Sequence, residues 1–157
     1  TISILIVITS CGFKPMYKLS ESSFDFRSYS IVIMNENDTS REIKEEIRKS
    51  FPSNSEINKE YVIEINNIEN LEPLITNTDG TIAKYRIEII MNFKVKDKNE
   101  NTYIMEDIVR GLAQYSVETS EIESEDKKRS MIRTATSSAI QMMISKIQSD
   151  TSITNDN

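Results

Sequence analysis

The chain has 157 residues, of which 38% are hydrophobic and 28% charged, with a net charge of −6, one cysteine and no histidine. That length suits one domain with a modest core, and the residue inventory excludes a disulfide framework, zinc sites built on Cys or His, and catalysis of the Ser-His-Asp type. The acidic balance speaks against a nucleic-acid binder, which neutralises phosphates with a clustered excess of Lys and Arg; no metal and no cofactor are expected.

The first element is the apolar run Ile2-Ser3-Ile4-Leu5-Ile6-Val7-Ile8, followed by Thr9-Ser10 and Cys11. An apolar stretch ending in small residues reads as the tail of an export signal, and it is shorter than the roughly 20 residues a spanning helix needs. Ile8-Thr9-Ser10-Cys11 resembles a bacterial lipobox, in which the cysteine sulfur takes a lipid and the preceding peptide is removed. On this reading residues 1–10 are a signal remnant whose basic start lies upstream of Thr1, and residues 11–27 are a lipidated N-terminus and linker. The alternative is a buried first strand ending in a buried cysteine.

Residues 28–148 are expected to form the folded domain. Tyr29 to Met34 is a β-branched run that predicts a strand, and Asn35 to Asp38 a turn. Thr39-Ser40-Arg41-Glu42 fits a capping box joining Thr39 and Glu42. In the helix that follows, Ile43, Ile47 and Phe51 share a stripe, and Pro52 predicts a stop near Ser50. Glu60 to Ile68 alternates as a strand, and Glu69 to Asp79, with Pro73, reads as a loop. From Thr81 to Val95 the odd positions are mainly apolar and the even ones mostly polar, the pattern of a long strand buried on one side. Asp97 to Asn101 is a turn, and Thr102 to Val117 returns as an antiparallel partner. Its phase is ambiguous, because Asp107 and Gly111 fall among Tyr103, Met105, Val109, Ala113 and Tyr115, while Ile104, Ile108 and Leu112 fall opposite. Either the second face is partly covered or a bulge near Asp107 to Gly111 shifts the phase. A last helix, capped by Ser120 with Glu123 or by Ser124 one turn later, carries Ile132, Ala135, Ala139, Met143 and Ile147 as its core stripe; Met131, Met142 and Met143 read as core packing. Residues 149–157 read as a disordered tail. The order β-α-β-β-β-α predicts an α+β fold with two helices on one face of a four-stranded mixed sheet.

Three stretches together resemble one family. Cys11-Gly12-Phe13-Lys14-Pro15-Met16-Tyr17 is similar to the Cys-Gly-Phe-x-Pro-Leu-Tyr start of alphaproteobacterial-type LPS-assembly lipoproteins (LptE). Gly80-Thr81-Ile82-Ala83-Lys84-Tyr85 resembles the Gly-x-x-Ala-x-Tyr opening of their central hairpin. Arg110, Tyr115-Ser116-Val117, Asp126-Lys127-Lys128-Arg129 and Ala139 resemble their C-terminal part in order and spacing. The resemblance implies two helices on a four-stranded sheet and a non-enzymatic role. It implies a domain tethered through Cys11 to the periplasmic side of the outer membrane, plugging an LptD-like β-barrel and assisting lipopolysaccharide insertion. Two departures stand out. Asn77-Thr78-Asp79 has no base where some members carry one, and Glu121-Ile122-Glu123 lacks a tyrosine often found before the last helix.

Lys127, Lys128, Arg129 and Arg133 form the densest basic run. They are either lipopolysaccharide contacts made through charge-assisted hydrogen bonds or a solvated helix face balanced by Glu121, Glu123, Glu125 and Asp126. Lys84 and Arg86, with Lys94 and Lys96, line the polar side of the long strand and face either barrel or lipopolysaccharide, or water. Asp107, Glu106 and Glu118 have no histidine or glycine-rich loop around them to make a general acid–base site. The competing function is a periplasmic lipoprotein with a small binding domain unrelated to lipopolysaccharide.

Overall fold

The computed structural model describes residue 25 and residues 28–51 and 59–150. The export run, Cys11, nearly all of the linker, Pro52 and the tail from residue 151 lie outside the described residues. The elements are β1 (Tyr29–Ile33), α1 (Arg41–Ser50), β2 (Tyr61–Thr76), β3 (Ile82–Asp97), β4 (Thr102–Ser116) and α2 (Glu121–Ser149). The sheet order is β1-β2-β3-β4, with β1 parallel to β2 and the other pairs antiparallel. This is the expected α+β fold, with α1 as the crossover that a parallel pair requires.

α1 begins one residue later than a Thr39 cap predicts. Ser40 is the N-cap and makes no side-chain cap bond. Thr39 is buried and its hydroxyl donates to the Asn35 carbonyl at 2.9 Å, closing the single 3-10 turn Glu36–Asp38 instead of the capping box. Asn35 is also fixed sideways: its amide donates to the Asn67 carbonyl at 2.7 Å, and its side-chain oxygen accepts the Asn67 N–H at 3.0 Å. The side chain thereby extends the β1–β2 ladder beyond the end of β1. α2 is capped as the first alternative predicts, with the Ser120 hydroxyl accepting from the Glu123 N–H at 3.5 Å. Ser124 instead accepts the Glu118 N–H at 2.8 Å and ties the incoming chain to the first turn.

Two strand expectations need correction. The segment read as a loop from Glu69 continues β2 as far as Thr76. β1 pairs β2 only through Ile65, so the rest of β2 is an edge, where a proline lacking its N–H is tolerated; the register breaks just after Pro73. In β4 no bulge occurs between Asp107 and Gly111. The shift lies between the pairs Val95–Met105 and Lys96–Tyr103, so Tyr103 moves to the helix-free face while Ile104 packs against the core. Asp107 and Gly111 keep phase on the helix face for two different reasons. Asp107 is ion-paired to Lys146 of α2 at 2.5 Å.

At Gly111 the reason is steric. A Cβ there would sit 1.7 Å from the Ala135 carbonyl oxygen, 2.7 Å from its carbon and 3.0 Å from the Ala139 nitrogen. The backbone of α2 therefore lies directly on the strand, with the fully buried Ala135 and Ala139 on either side of the contact. Ile132, Ile140, Met143 and Ile147 spread from it over β3 and β4, and Ile43 and Ile47 of α1 fill in beside them. Met142, read as core, is 48% exposed because it lies off that stripe.

Gly111→Ala is expected to lower unfolding stability in urea by about 3 kcal/mol, the upper end for overpacking. Gly80→Ala, at φ +87° with open space around it, is expected to cost about 1 kcal/mol through backbone strain alone.

Tyr29 is buried and stacks on Tyr61, with ring centroids 5.1 Å apart. Burial first, then the neighbouring Tyr61, Asp25 and Glu60, push its hydroxyl up to about 12. The folded value thus lies above the unfolded value near 10. The stabilisation from keeping Tyr29 neutral is complete below about pH 10 and is lost as pH rises toward 12. Urea unfolding between pH 9 and about pH 11.5 is expected to show a smaller alkaline loss for Tyr29→Phe than for the parent chain.

Candidate functional site: the open face of the sheet

Both helices cover one face of the sheet, and even-numbered residues of β2, β3 and β4 form the other. Strand register turns them into rungs. Glu64, Lys94 and Glu106 lie side by side, then Asn66, Asn92 and Ile108, then Ile68, Ile90 and Arg110. Asn70, Glu88 and Leu112 follow, then Glu72, Arg86 and Gln114, with Lys84 and Ser116 at the end. The face has three zones.

At the end near the β3–β4 turn, charge is internally satisfied. Lys94 pairs with Glu106 at 3.2 Å, and the Tyr103 hydroxyl donates to Glu64 at 3.0 Å. That hydrogen bond, followed by the charge of Glu64, raises the Tyr103 hydroxyl above its ordinary range. The Lys94 and Lys96 ammonium groups sit 5.5 and 5.7 Å from the Tyr103 ring centroid, within cation–π range. In the middle, Ile68, Ile108 and Leu112 are 44%, 49% and 59% exposed and adjoin the half-buried Ile90. Arg110 is paired to Glu88 at 3.6 Å, and Asn70 also donates to Glu88 at 3.2 Å.

The third zone lies toward the turn joining β2 and β3. There Lys84 and Arg86 have no ion-pair partner among the described residues. The one acid of the turn is engaged locally: the Asp79 carboxylate accepts the Thr81 hydroxyl at 2.6 Å and the Thr81 N–H at 2.9 Å. These bonds hold Asp79 below its ordinary range, the hydroxyl bond contributing most.

The other four candidate cations are on the far side of the sheet, on α2, and each is paired. Lys127 bonds Glu118, Lys128 lies 3.8 Å from Glu125, Arg129 3.9 Å from Glu42, and Arg133 3.4 Å from Glu45. Of the acids expected to balance this run only Glu125 does so; Arg129 and Arg133 reach across to α1 instead. Lys84 and Arg86 are thus brought together, and the basic run of α2 is kept apart from them. Asp107, Glu106 and Glu118 are likewise separated, each bound to its own lysine, and Lys146 holds Asp107 below its ordinary range. Among the described residues no group of three or more His, Cys, Asp or Glu is placed to hold a metal ion.

The apolar zone is the part that sequence reading left out. Its signal was present in Ile90, an apolar exception in the middle of the mostly polar even positions of β3, and in Ile108 and Leu112 opposite the expected core face. Only the register aligns them with Ile68.

No protein-family model matches the chain, and no curated protein does. Its fold is that of several solved structures. A candidate lipoprotein of Caulobacter crescentus superposes with a TM-score of 0.58 at 8% identity, over 78% of this chain and 88% of that one. Lipoprotein B of Nitrosomonas europaea gives 0.57 at 11% identity, over 82% and 87%. A minor lipoprotein of Acinetobacter baumannii gives 0.54 at 13% identity, over 78% and 90%. These likenesses show the fold, and the fold is one that lipoproteins use.

Charge reversal separates the two sets of cations. Lys84→Glu with Arg86→Glu breaks no ion pair among the described residues and sets a like charge only against Glu72 across the strand, so it is expected to lose no more than about 0.5 kcal/mol of urea stability. Arg129→Glu with Arg133→Glu sets like charges against Glu42 and Glu45 and is expected to lose about 1 kcal/mol, the upper range for exposed pairs.

Proposed function

We propose that this chain is a lipid-anchored lipoprotein of the outer membrane, of the LPS-assembly (LptE) type, which plugs a large LptD-like β-barrel and assists lipopolysaccharide insertion. The observation that carries this reading is where the resembling stretches meet. Tyr85, from the Gly80-to-Tyr85 stretch, stacks on Tyr115, from the Tyr115-Ser116-Val117 stretch, with centroids 5.4 Å apart and planes 16° from parallel. Ala139, from the third part of the pattern, closes the contact on Gly111. Segments far apart in the chain thus supply parts of one hairpin-and-helix unit, which argues against chance similarity in each. The shared fold supports the reading further.

Cys11 carries the lipid and places the domain at the membrane. Within the domain, Lys84 and Arg86 are the cations offered to lipopolysaccharide phosphates, because the α2 cations already have carboxylate partners. The adjoining Ile68, Ile90, Ile108 and Leu112 supply apolar surface for acyl chains. The domain acts by binding and positioning, with no reaction of its own.

In a Gram-negative host, Cys11→Ala is expected to abolish palmitate labelling. Affinity capture of the parent chain from detergent-solubilised outer membranes is expected to recover a large β-barrel, and repeated recovery without one would overturn the plug role. Lys84→Glu with Arg86→Glu is expected to weaken lipopolysaccharide binding about tenfold, a loss of roughly 1.4 kcal/mol.

A further inference from the structure

β1 is an outer edge of the sheet, and its free side differs from the other edge. The Tyr61 N–H donates to the Ser28 carbonyl and the Met34 N–H to the Ile65 carbonyl. Even-numbered residues of β1 therefore turn their backbone groups toward β2, as alternate residues do in a parallel pair. The amides and carbonyls of Ile31 and Ile33 point away from the sheet and have no partner among the described residues. At β4 the outward amide and carbonyl of Ile108, in the middle of the strand, are obstructed. Asp107 Oδ1 accepts the Ile108 N–H at 2.7 Å, and Lys146 Nζ donates to the Ile108 carbonyl at 3.4 Å. An unobstructed edge is a template for another strand.

The β1 edge also lies in a cleft of about 670 Å³. Ile47 and Phe51 wall it on the helix side, and Val32 and Val62 on the open-face side. A chain extended along β1 points successive side chains to opposite faces, so apolar residues of one parity meet the helix-side wall. The cleft is basic. Arg48 is neutralised by Glu36 at 2.9 Å, but Lys59 and Lys98, which also line it, have no ion-pair partner among the described residues.

We propose that the β1 edge docks an extended acidic segment of a partner protein, which adds beside β1 as a further strand. Its backbone pairs with Ile31 and Ile33, its carboxylates meet Lys59 and Lys98, and its apolar residues pack beside the half-buried side chains of Ile31 and Ile33 on the helix side. Strand addition of this kind takes affinity from main-chain bonds and selectivity from alternate side chains. The inference stands apart from lipopolysaccharide binding, which uses the other end of the open face.

The test uses the full chain and a capped seven-residue peptide alternating glutamate and valine. Saturating peptide is expected to slow hydrogen exchange at the Ile31 and Ile33 amides by about tenfold or more. A peptide alternating lysine and valine is expected not to bind, and Lys59→Glu with Lys98→Glu is expected to reverse that preference. N-methylation of the acidic peptide at alternate residues, which removes its donors without altering the protein, is expected to weaken binding at least about tenfold. Unchanged exchange at Ile31 and Ile33, or equal binding of acidic and basic peptides, would overturn the proposal. So would finding both amides already protected before peptide is added, because the chain would then close its own edge.

Discussion

The close approach of α2 to β4 at Gly111 sets the distance between the two layers. A helix normally rests on a sheet through side chains, but here a helix carbonyl lies where a Cβ would otherwise be. Ala135 and Ala139 flank that point because any larger side chain would lift the helix off. Once the layers are this close, the long apolar side chains on either side of the seam reach β3 and the flank of α1, and Ile87, Ile89, Met91, Phe93 and Val95 are sealed to at most 1% exposure. Packing at this density leaves little tolerance for added volume.

Holding both helices on one face leaves the other face to be managed by strand side chains alone. Near the β3–β4 turn this is done with crossed charge pairs and a tyrosine. In the centre it is not done: isoleucine and leucine stand exposed between polar rungs. Exposed pairs are individually weak, so the ion pairs of α2 and of the sheet do little to stabilise the fold. Their larger effect is on availability, since a cation with a carboxylate at hand competes poorly for an incoming phosphate. That asymmetry makes the α2 run, the denser cluster in sequence, the lesser candidate in space.

The two sheet edges also contrast. β4 is long, and its centre is obstructed by Asp107 and Lys146, which at once anchor the end of α2. β1 is short and lies in a concave, basic cleft with Ile31 and Ile33 turned outward. The same pairing rules that build the sheet thus leave one strand position beside β1 unfilled by the described residues.

Much of this was legible in the sequence. Period-two alternation over β3 and the 3.6-residue stripe of α2 marked the strand, the helix and their buried faces, because these signals arise within one element. The element order constrained the architecture for the same reason. The extension of β2 past Pro73 was hidden, since whether a proline is tolerated depends on whether a neighbouring strand ends before it. Asp107 and Gly111 looked like a broken phase. One is a partner for a lysine 39 residues away and the other a seat for a helix backbone, and neither relation exists until β4 and α2 are packed together. Charge followed the same division. Composition alone determined that this acidic chain is poorly suited to bulk electrostatic binding of nucleic acid. Only the tertiary structure decided which cations are engaged by carboxylates, because Arg129 and Arg133 find their partners on α1, while Lys84 and Arg86 stand on a face no helix covers.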